Sequence, residues 1–309
     1  MAILVLSTSA FVERQLAALR TQAPDETIVT DPGAVPAESV EAILAFRLAP
    51  GIASRFPALR LIGCAGAGVD ELLATADLPR DVPLVRAVDP FQATRMAQYV
   101  ALMALRFYRE LPRFEAQQRD ALWKRPPPPP ESAFAVGVMG FGSIGAPVAD
   151  VLARLGFPVA TWTRTPLRAD DIVSFAGAAG LVPFLARTRI LVCALPLTAA
   201  TRGVLDATAL SALPRDAYVI NVSRGAVLVE DDLVAALDAG NLAGAALDVY
   251  ATEPLPAASP LWRHPKILCT PHISAEPRPE VAAAQFLDNL RRARRGEPLV
   301  NVVDRDRGY

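Results

Sequence analysis

The stretch that most limits how this chain can fold is the glycine-rich segment at residues 137–145, which reads GVMGFGSIG. It follows an apolar run and opens a helical pattern, the context in which a Gly-x-Gly-x-x-Gly motif is informative. Gly140 permits a tight turn, Gly142 lets a pyrophosphate approach the backbone, and Gly145 lets the helix pack on its strand. The segment therefore predicts a dinucleotide-binding turn. Its predicted cofactor-binding residues are Gly140, Phe141, Gly142, Ser143, Ile144 and Gly145.

Short apolar runs alternate with helical stretches on both sides of that turn, which is typical of parallel α/β sheets. Before a run of five prolines at 126–130, strands are predicted at 3–6, 43–46, 59–64 and 84–88, and a nearly all-apolar helix at 94–111. After the prolines, strands are predicted at 133–138, 159–162, 190–194, 217–221, 244–249 and 267–270. Helices are predicted at 143–155, 230–239 and 281–295, and 182–186 is a further apolar region. The pattern predicts doubly wound sheets.

Composition excludes several classes of protein. At roughly 150 residues per domain, 309 residues favour two domains. Because 31 Lys and Arg balance 32 Asp and Glu, we expect no nucleic-acid partner. Three scattered Cys and two His provide no zinc motif, and an odd Cys count suits a reducing compartment. The N-terminus has no signal-peptide pattern, so we expect a cytoplasmic protein without a membrane partner.

The end of the second strand after the glycine turn indicates which cofactor is preferred. NAD sites usually carry an acidic residue there, which hydrogen-bonds the ribose. This chain has Thr163, Arg164 and Thr165 instead, with no acid before Asp170. A guanidinium can pair with a 2′-phosphate in fork geometry, so NADPH is predicted over a weaker NADH, with Arg168 as a second candidate cation. The alternative is that Arg164 is a solvated surface residue.

Three polar residues follow apolar strands at the edge where doubly wound sheets bind ligands: Arg224, Glu253 and His272. A ketone that accepts hydride develops negative charge on oxygen, and histidine is suited to donate the proton. Glu253 would orient His272 and favour its charged form, while Arg224 would clamp a substrate carboxylate. Singly, each residue has a structural alternative, as a surface charge, a turn residue or a packed histidine. Together, behind a dinucleotide turn, they favour catalysis.

At this point the chain resembles the D-2-hydroxyacid dehydrogenase family along essentially its whole length. The motifs that carry the resemblance are GAGVD at 66–70, the glycine turn, LPLTAAT at 195–201, NVSRG at 221–225, ALDVYATEPLP at 246–256, SPLWRHP at 259–265 and TPH at 270–272. Within the family, WTRT at 162–165, SFAG at 174–177, VEDD at 229–232 and the terminal VDRDRGY are most similar to a subgroup that reduces glyoxylate and hydroxypyruvate with NADPH.

The resemblance implies a role for each matching position. Arg224, Glu253 and His272 match the family's catalytic residues, with His272 as the proton donor. Asp248 matches a residue near the nicotinamide. The further residues implied to contact the cofactor are Leu195, Pro196 and Thr198, and those implied to contact substrate are Arg47, Ala67, Gly68, Arg224 and His272. At Glu276 the chain has an acidic residue where the subgroup tends to be less polar, so the identity of the substrate stays open.

The resemblance also implies an α/β architecture of two doubly wound parallel-sheet domains, a Rossmann coenzyme domain inserted in a flavodoxin-like substrate domain. The substrate domain is expected at 1–95 and 276–309, and the dinucleotide-binding domain at 96–275. A homodimer acting on a small 2-keto or 2-hydroxy acid is implied. Two other readings stay open: an NAD-linked dehydrogenase of the same family, and a non-enzymatic nucleotide-sensing protein of the same fold.

Overall fold

The computed structural model describes residues 1–6, 10–127, 130–167 and 172–309. Two prolines of the run at 126–130, and the predicted second cation Arg168, lie outside these described residues. The chain forms two compact units, Met1–Gln92 with Glu276–Tyr309, and Ala93–Ala275. The first unit thus ends after Gln92 rather than after residue 95.

The helices and strands alternate throughout. The strands are β1 (Ala2–Leu6), β2 (Thr27–Val29), β3 (Val40–Ala45), β4 (Leu61–Cys64), β5 (Leu84–Val85), β6 (Val136–Met139), β7 (Val159–Thr163), β8 (Val173–Ala176), β9 (Ile190–Cys193), β10 (Ala217–Asn221), β11 (Leu242–Leu247) and β12 (Ile267–Cys269). The helices are α1 (Ala10–Gln22), α2 (Asp70–Leu73), α3 (Pro90–Tyr108), α4 (Leu111–Arg119), α5 (Gly145–Arg154), α6 (Gly177–Ala186), α7 (Ala207–Ser211), α8 (Glu230–Asp238) and α9 (Pro279–Arg295). Short 3₁₀ turns occupy Ala37–Ser39, Ala53–Arg55, Glu131–Ala133, Gly225–Val227 and Pro260–Arg263.

The first unit contains a five-stranded parallel sheet in the order β2-β1-β3-β4-β5. This is the flavodoxin-like order expected of the predicted doubly wound fold. Neighbouring residues of β3 face opposite sides of the sheet, so that Ile43 and Leu44 enter separate apolar clusters. Both faces of the sheet are therefore covered, as parallel sheets require.

The second unit contains a seven-stranded parallel sheet in the order β12-β11-β10-β9-β6-β7-β8. The order reverses between β6 and β9, which makes that point the switch at which Rossmann sheets bind nucleotides. In β10, Val219 and Ile220 again enter separate cores on the two faces. The predicted fold class, two doubly wound parallel sheets with helices, is confirmed.

The predicted helix at 94–111 is two helices. α3 begins earlier, at Pro90, and ends at Tyr108, while α4 starts at Leu111. Glu110 between them adopts a φ of 52°, a left-handed conformation that interrupts helical hydrogen bonding. Apolar residues can also lie on the exposed side of a helix. The apolar pattern alone therefore does not reveal where one helix ends and the next begins.

Other boundaries differ for local reasons. Residue 133 ends a 3₁₀ turn, so the predicted strand at 133–138 is shorter and starts at Val136. The apolar region at 182–186 is the second half of α6. The edge strands β2 and β8 were not predicted, since three or four residues with mixed burial provide little periodic signal. Among the described residues, no helix combines the length and apolar character that a membrane crossing requires.

Candidate active site

The three predicted catalytic residues follow neighbouring strands of the seven-stranded sheet. Arg224 comes after β10, Glu253 lies on the loop after β11, and His272 follows β12. Because these strands are parallel, their carboxyl ends share one edge, the edge at which α/β sheets bind ligands. The expected convergence is therefore built into the topology of this unit.

His272 and Glu253 form a direct pair. The Nδ1 atom of His272 lies 2.7 Å from Oε2 of Glu253, and Oε1 of Glu253 accepts the N–H of Tyr250 at 2.9 Å. With both carboxylate oxygens occupied, Glu253 holds one orientation and so fixes the imidazole ring. This geometry leaves Nε2 of His272 as the ring atom available to a substrate.

The pair also changes both pKa values. The hydrogen bond to Glu253 raises the pKa of His272 above 6.5; burial and the Arg224 charge oppose this, and the Asp248 charge supports it. Burial alone would raise the pKa of Glu253, but hydrogen bonds from His272 and Tyr250 and the charges of His272 and Arg224 lower it overall. A charged imidazolium therefore persists to higher pH than in a free histidine, which suits a proton donor.

Arg224 is held by its own loop. The Nδ2 atom of Asn221 donates to the Arg224 carbonyl at 3.3 Å, and the guanidinium donates to the Ser223 carbonyl at 2.9 Å. At the next position, a Cβ on Gly225 would overlap the carbonyl group of Tyr250, so only glycine allows this close approach. Gly225 thereby keeps the Arg224 loop against the loop that carries Glu253.

Asp248, implied to contact the nicotinamide, is buried and accepts several hydrogen bonds from its own chain. Its Oδ1 accepts the Thr270 hydroxyl at 2.6 Å and the Ile273 N–H at 2.9 Å, while Oδ2 accepts the Ser274 N–H at 2.8 Å. Its carbonyl accepts the N–H of His272 at 2.9 Å. These bonds hold His272 at a φ of 54°, a left-handed conformation that is costly for a residue with a side chain.

The glycine turn has the space and the donors that an anion needs. Gly140 has a φ of 92°, and a Cβ there would come within 2.8 Å of the Ala194 carbonyl oxygen. A Cβ on Gly142 would meet no atom within 4 Å, so a ligand can approach the backbone there. The backbone N–H groups of Gly142, Ser143 and Ile144 donate to no acceptor within the described part of the chain. Since these groups precede α5, the turn fits a pyrophosphate.

The end of β7, which is predicted to bind the 2′-phosphate, forms a turn that is held by a hydrogen bond. The Thr163 hydroxyl donates to the Thr165 carbonyl at 2.7 Å, while the side chain of Arg164 is exposed. After β9, the Thr201 hydroxyl donates to the Pro196 carbonyl at 2.7 Å and accepts from the Thr198 N–H at 2.8 Å. These hydrogen bonds fix the conformation of the segment that is implied to contact the cofactor. The segment includes the buried Leu195.

In the first unit, the loop after β4 offers two amides. The N–H groups of Ala67 and Gly68 donate to no acceptor among the described residues, and the Cys64 thiol braces the loop by donating to the Gly68 carbonyl at 3.1 Å. Arg47, implied to contact substrate, is exposed and forms an ion pair with Glu71 at 3.2 Å. Glu276 pairs with Arg14 at 2.7 Å, within the same unit.

Several residues of the site were not predicted as functional. Asn221, Ser223 and Thr270 lie inside motifs that carried the resemblance, yet their hydrogen bonds to Arg224 and Asp248 follow from no spacing rule. Gly225 was recognised only as part of such a motif. For Gly225 a signal exists, since a glycine directly after a candidate arginine predicts a close backbone approach.

Comparison with known proteins shows which family this chain is similar to. The family model described as "D-isomer specific 2-hydroxyacid dehydrogenase, NAD binding domain" matches residues 101–274. A glyoxylate/hydroxypyruvate reductase A from Yersinia enterocolitica is 42% identical over 249 residues, 79% of this chain and 80% of the relative. The corresponding protein of Klebsiella pneumoniae strain 342 is 41% identical over 257 residues, 82% of each chain.

Solved structures are similar over the whole chain. A D-isomer specific 2-hydroxyacid dehydrogenase from Xanthobacter autotrophicus Py2, in complex with NADPH and MES, has a TM-score of 0.92 at 41% identity and covers 100% of this chain and 99% of its own. An NADPH-dependent glyoxylate/hydroxypyruvate reductase from Sinorhizobium meliloti, with NADP and sulfate, has a TM-score of 0.92 at 34% identity and covers 100% of both chains.

Proposed function

The chain belongs to the D-isomer specific 2-hydroxyacid dehydrogenase family, and from this we propose that it reduces small 2-keto acids, glyoxylate and hydroxypyruvate, with NADPH. The observation that carries the proposal is the His272–Glu253 pair, which places an imidazole with a raised pKa at the ligand-binding edge of a Rossmann sheet. The Yersinia and Klebsiella relatives bear the name of this activity, and the Sinorhizobium structure was solved with NADP.

His272 is the proton donor of the proposed reaction. NADPH, when bound, supplies a hydride to the carbonyl carbon. As negative charge develops on the carbonyl oxygen, Nε2–H of His272 donates its proton, which yields the 2-hydroxy acid and a neutral imidazole. Glu253 keeps the ring oriented throughout because its bond to Nδ1 does not change. Proton donation of this kind accelerates a reaction about 10²- to 10⁴-fold.

Cations and amides hold the substrate. Arg224 binds the carboxylate in two-point fashion and polarises the carbonyl, since a guanidinium presents parallel N–H donors. The N–H groups of Ala67 and Gly68, which lack acceptors among the described residues, are proposed as further donors to a substrate. Arg47 is proposed as an additional contact, exchanging its exposed partner Glu71 for substrate.

The coenzyme is held by the Ala93–Ala275 unit, and the other unit serves as the substrate domain. Gly140 through Gly145 bind the pyrophosphate, Leu195, Pro196 and Thr198 pass the nicotinamide half, and Asp248 stands near the ring. Arg164, with Thr163 and Thr165, binds the 2′-phosphate and favours NADPH over NADH. The support is the open space at Gly142 and the lack of a carboxylate on the described part of the 163–167 turn.

The experiment is a steady-state panel of glyoxylate, hydroxypyruvate and pyruvate, each with NADPH and with NADH. Oxidation of NADPH by glyoxylate or hydroxypyruvate, with a higher kcat/KM than any NADH reaction, supports the proposal. Tight NADPH binding without turnover of any 2-keto acid would instead favour a nucleotide-sensing protein.

We also propose a homodimer in the cytoplasm. Large apolar side chains stay exposed along α3, α4 and the segment that follows: Leu102 is 58% exposed and Trp123 is 99% exposed. Exposed apolar surface of this kind is typical of a subunit contact. The three cysteines are free, which suits a reducing compartment. Light scattering after gel filtration tests the dimer: the monomer mass would contradict it.

A further inference from the structure

Tyr99, on α3, ends a chain of hydrogen bonds that reaches the turn carrying His272. Its hydroxyl lies 2.7 Å from the hydroxyl of Thr270, which in turn lies 2.6 Å from Oδ1 of Asp248. The Thr270 hydroxyl has a single proton, and the carboxylate of Asp248 can only accept. The proton of Thr270 therefore points to Asp248, and Tyr99 must be the donor to Thr270.

The far end of this chain is the backbone of the catalytic turn. Asp248 accepts the N–H groups of Ile273 and Ser274, and its own carbonyl accepts the N–H of His272. A left-handed residue such as His272 stays in place only when its surroundings hold it there. Every bond that fixes Asp248 thus bears on the direction of the imidazole.

The near end is rigid. Tyr99 is flanked on α3 by Val100, and Ala104 lies one turn further along; both are completely buried in a core cluster that also includes β6, β9 and β10. Burial, with a contribution from the Asp248 charge, raises the pKa of Tyr99 to about 12, so the hydroxyl remains a donor throughout the physiological range. The hydroxyl of a second tyrosine, Tyr250, lies 2.9 Å from the Thr270 carbonyl oxygen and 2.8 Å from the Leu247 carbonyl oxygen, which share its single proton.

We infer that Tyr99 is a positioning residue for His272, acting through the Thr270 hydroxyl and the Asp248 carboxylate. In this role Tyr99 touches neither the reacting atoms nor the cofactor. Only the expected effect on kcat rests on the proposed function. Consecutive hydrogen bonds polarise one another, so loss of the first donor weakens the bonds that follow. The orientation of the catalytic turn is thereby tied to α3.

The direct test is the titration of His272 in Tyr99→Phe, followed by proton NMR. The chain has only two histidines, so His264→Gln assigns the two imidazole signals. We expect the pKa of His272 to fall towards its ordinary value in Tyr99→Phe and in Thr270→Val, because the ring is held less firmly against Glu253. Charged groups acting on His272 are Glu253, Arg224 and Asp248, and none is altered by these variants.

Kinetics supply the second measurement. Tyr99→Phe should lower kcat about 2- to 10-fold with an unchanged KM for NADPH, the effect of one neutral hydrogen bond. Thr270→Ser should retain activity. In the double variant of Tyr99→Phe and Thr270→Val, the fold loss in kcat should be smaller than the product of the two single losses. Both substitutions break the same series of hydrogen bonds, so their effects are not independent.

Tyr218→Phe is the matched control. Tyr218 is a buried tyrosine of the same unit, stacked on Phe107, and its hydroxyl makes no hydrogen bond to the described His272 turn. An unchanged His272 titration in folded Tyr99→Phe and Thr270→Val would overturn the inference, as would multiplicative losses. If Tyr99→Phe fails to fold, an unchanged His272 titration in folded Thr270→Val still overturns the inference, because Tyr99 acts only through the Thr270 hydroxyl. Because the titration needs no substrate, failure of the proposed reduction would leave it informative.

Discussion

Glu253 accepts the Nδ1–H of His272 at 2.7 Å while the backbone N–H of Tyr250 fixes its other oxygen. This bond joins two loops of one sheet edge and does two things at once. It sets the direction of Nε2, and it keeps the imidazole charged at higher pH than a free histidine.

Glu253→Gln should separate those two effects. The amide can still accept from Nδ1 but has no charge, so the pKa of His272 should fall towards 6.5. Reduction needs the protonated ring, and its rate declines as pH rises through that pKa. We therefore expect the alkaline limb of the kcat profile to move to lower pH, with the largest loss above neutrality. An unmoved limb would show that another group limits the rate.

Arg164→Ala tests cofactor choice. Loss of the guanidinium should raise the KM for NADPH about tenfold or more and leave the KM for NADH nearly unchanged, because only NADPH carries the 2′-phosphate. Arg154→Ala provides a control, since Arg154 is an exposed arginine on α5 that pairs with Asp150. Equal changes for both cofactors would contradict a phosphate contact.

Arg294→Met tests an ion pair of the first unit that includes a buried carboxylate. Arg294 pairs with Glu26 and with Glu41, whose side chain is 1% exposed. Without the arginine, Glu41 is buried unpaired, so the free energy of unfolding should fall by about 3 kcal/mol. Arg291→Met on the same helix removes a charge that is 57% exposed and should change it by less than about 0.5 kcal/mol. Urea unfolding measures both, and equal losses would refute the assignment.

The Asp89–Arg278 pair predicts a pH dependence of stability. Hydrogen bonds from Arg278 lower the pKa of Asp89 from 3.8 to about 2. A lowered carboxyl pKa stabilises the fold above about pH 3.8, and this contribution is lost as pH falls through 2. The difference in urea midpoint between the wild type and Asp89→Asn should therefore shrink between pH 5 and pH 2. A constant difference would show that the pair contributes through shape alone.

Much of what rests on local pattern or on the order of the strands was predictable from the sequence. The strand 217–221 was predicted with the observed bounds, and the parallel order of β10, β11 and β12 brings Arg224, Glu253 and His272 to one edge. The glycine turn was predictable because Gly140 and Gly145 lie where the surrounding backbone leaves no room for a side chain.

Long-range polar contacts were beyond the sequence. Tyr99 and Thr270 are separated by 171 positions, and neither belongs to a pattern that predicts its partner. Asp248 was assigned to the cofactor by resemblance, whereas its carboxylate bonds to the turn around His272 depend on how that turn folds. Edge strands such as β2 were not predicted for a different reason: they are too short for periodicity to distinguish them from loops.

The most direct test of the central claim is the rate of glyoxylate-dependent NADPH oxidation by His272→Gln, measured together with the Kd for NADPH. Proton donation by His272 predicts a loss of at least about 100-fold in kcat with an unchanged Kd. A variant that binds NADPH normally and turns over within about threefold of wild type would contradict it.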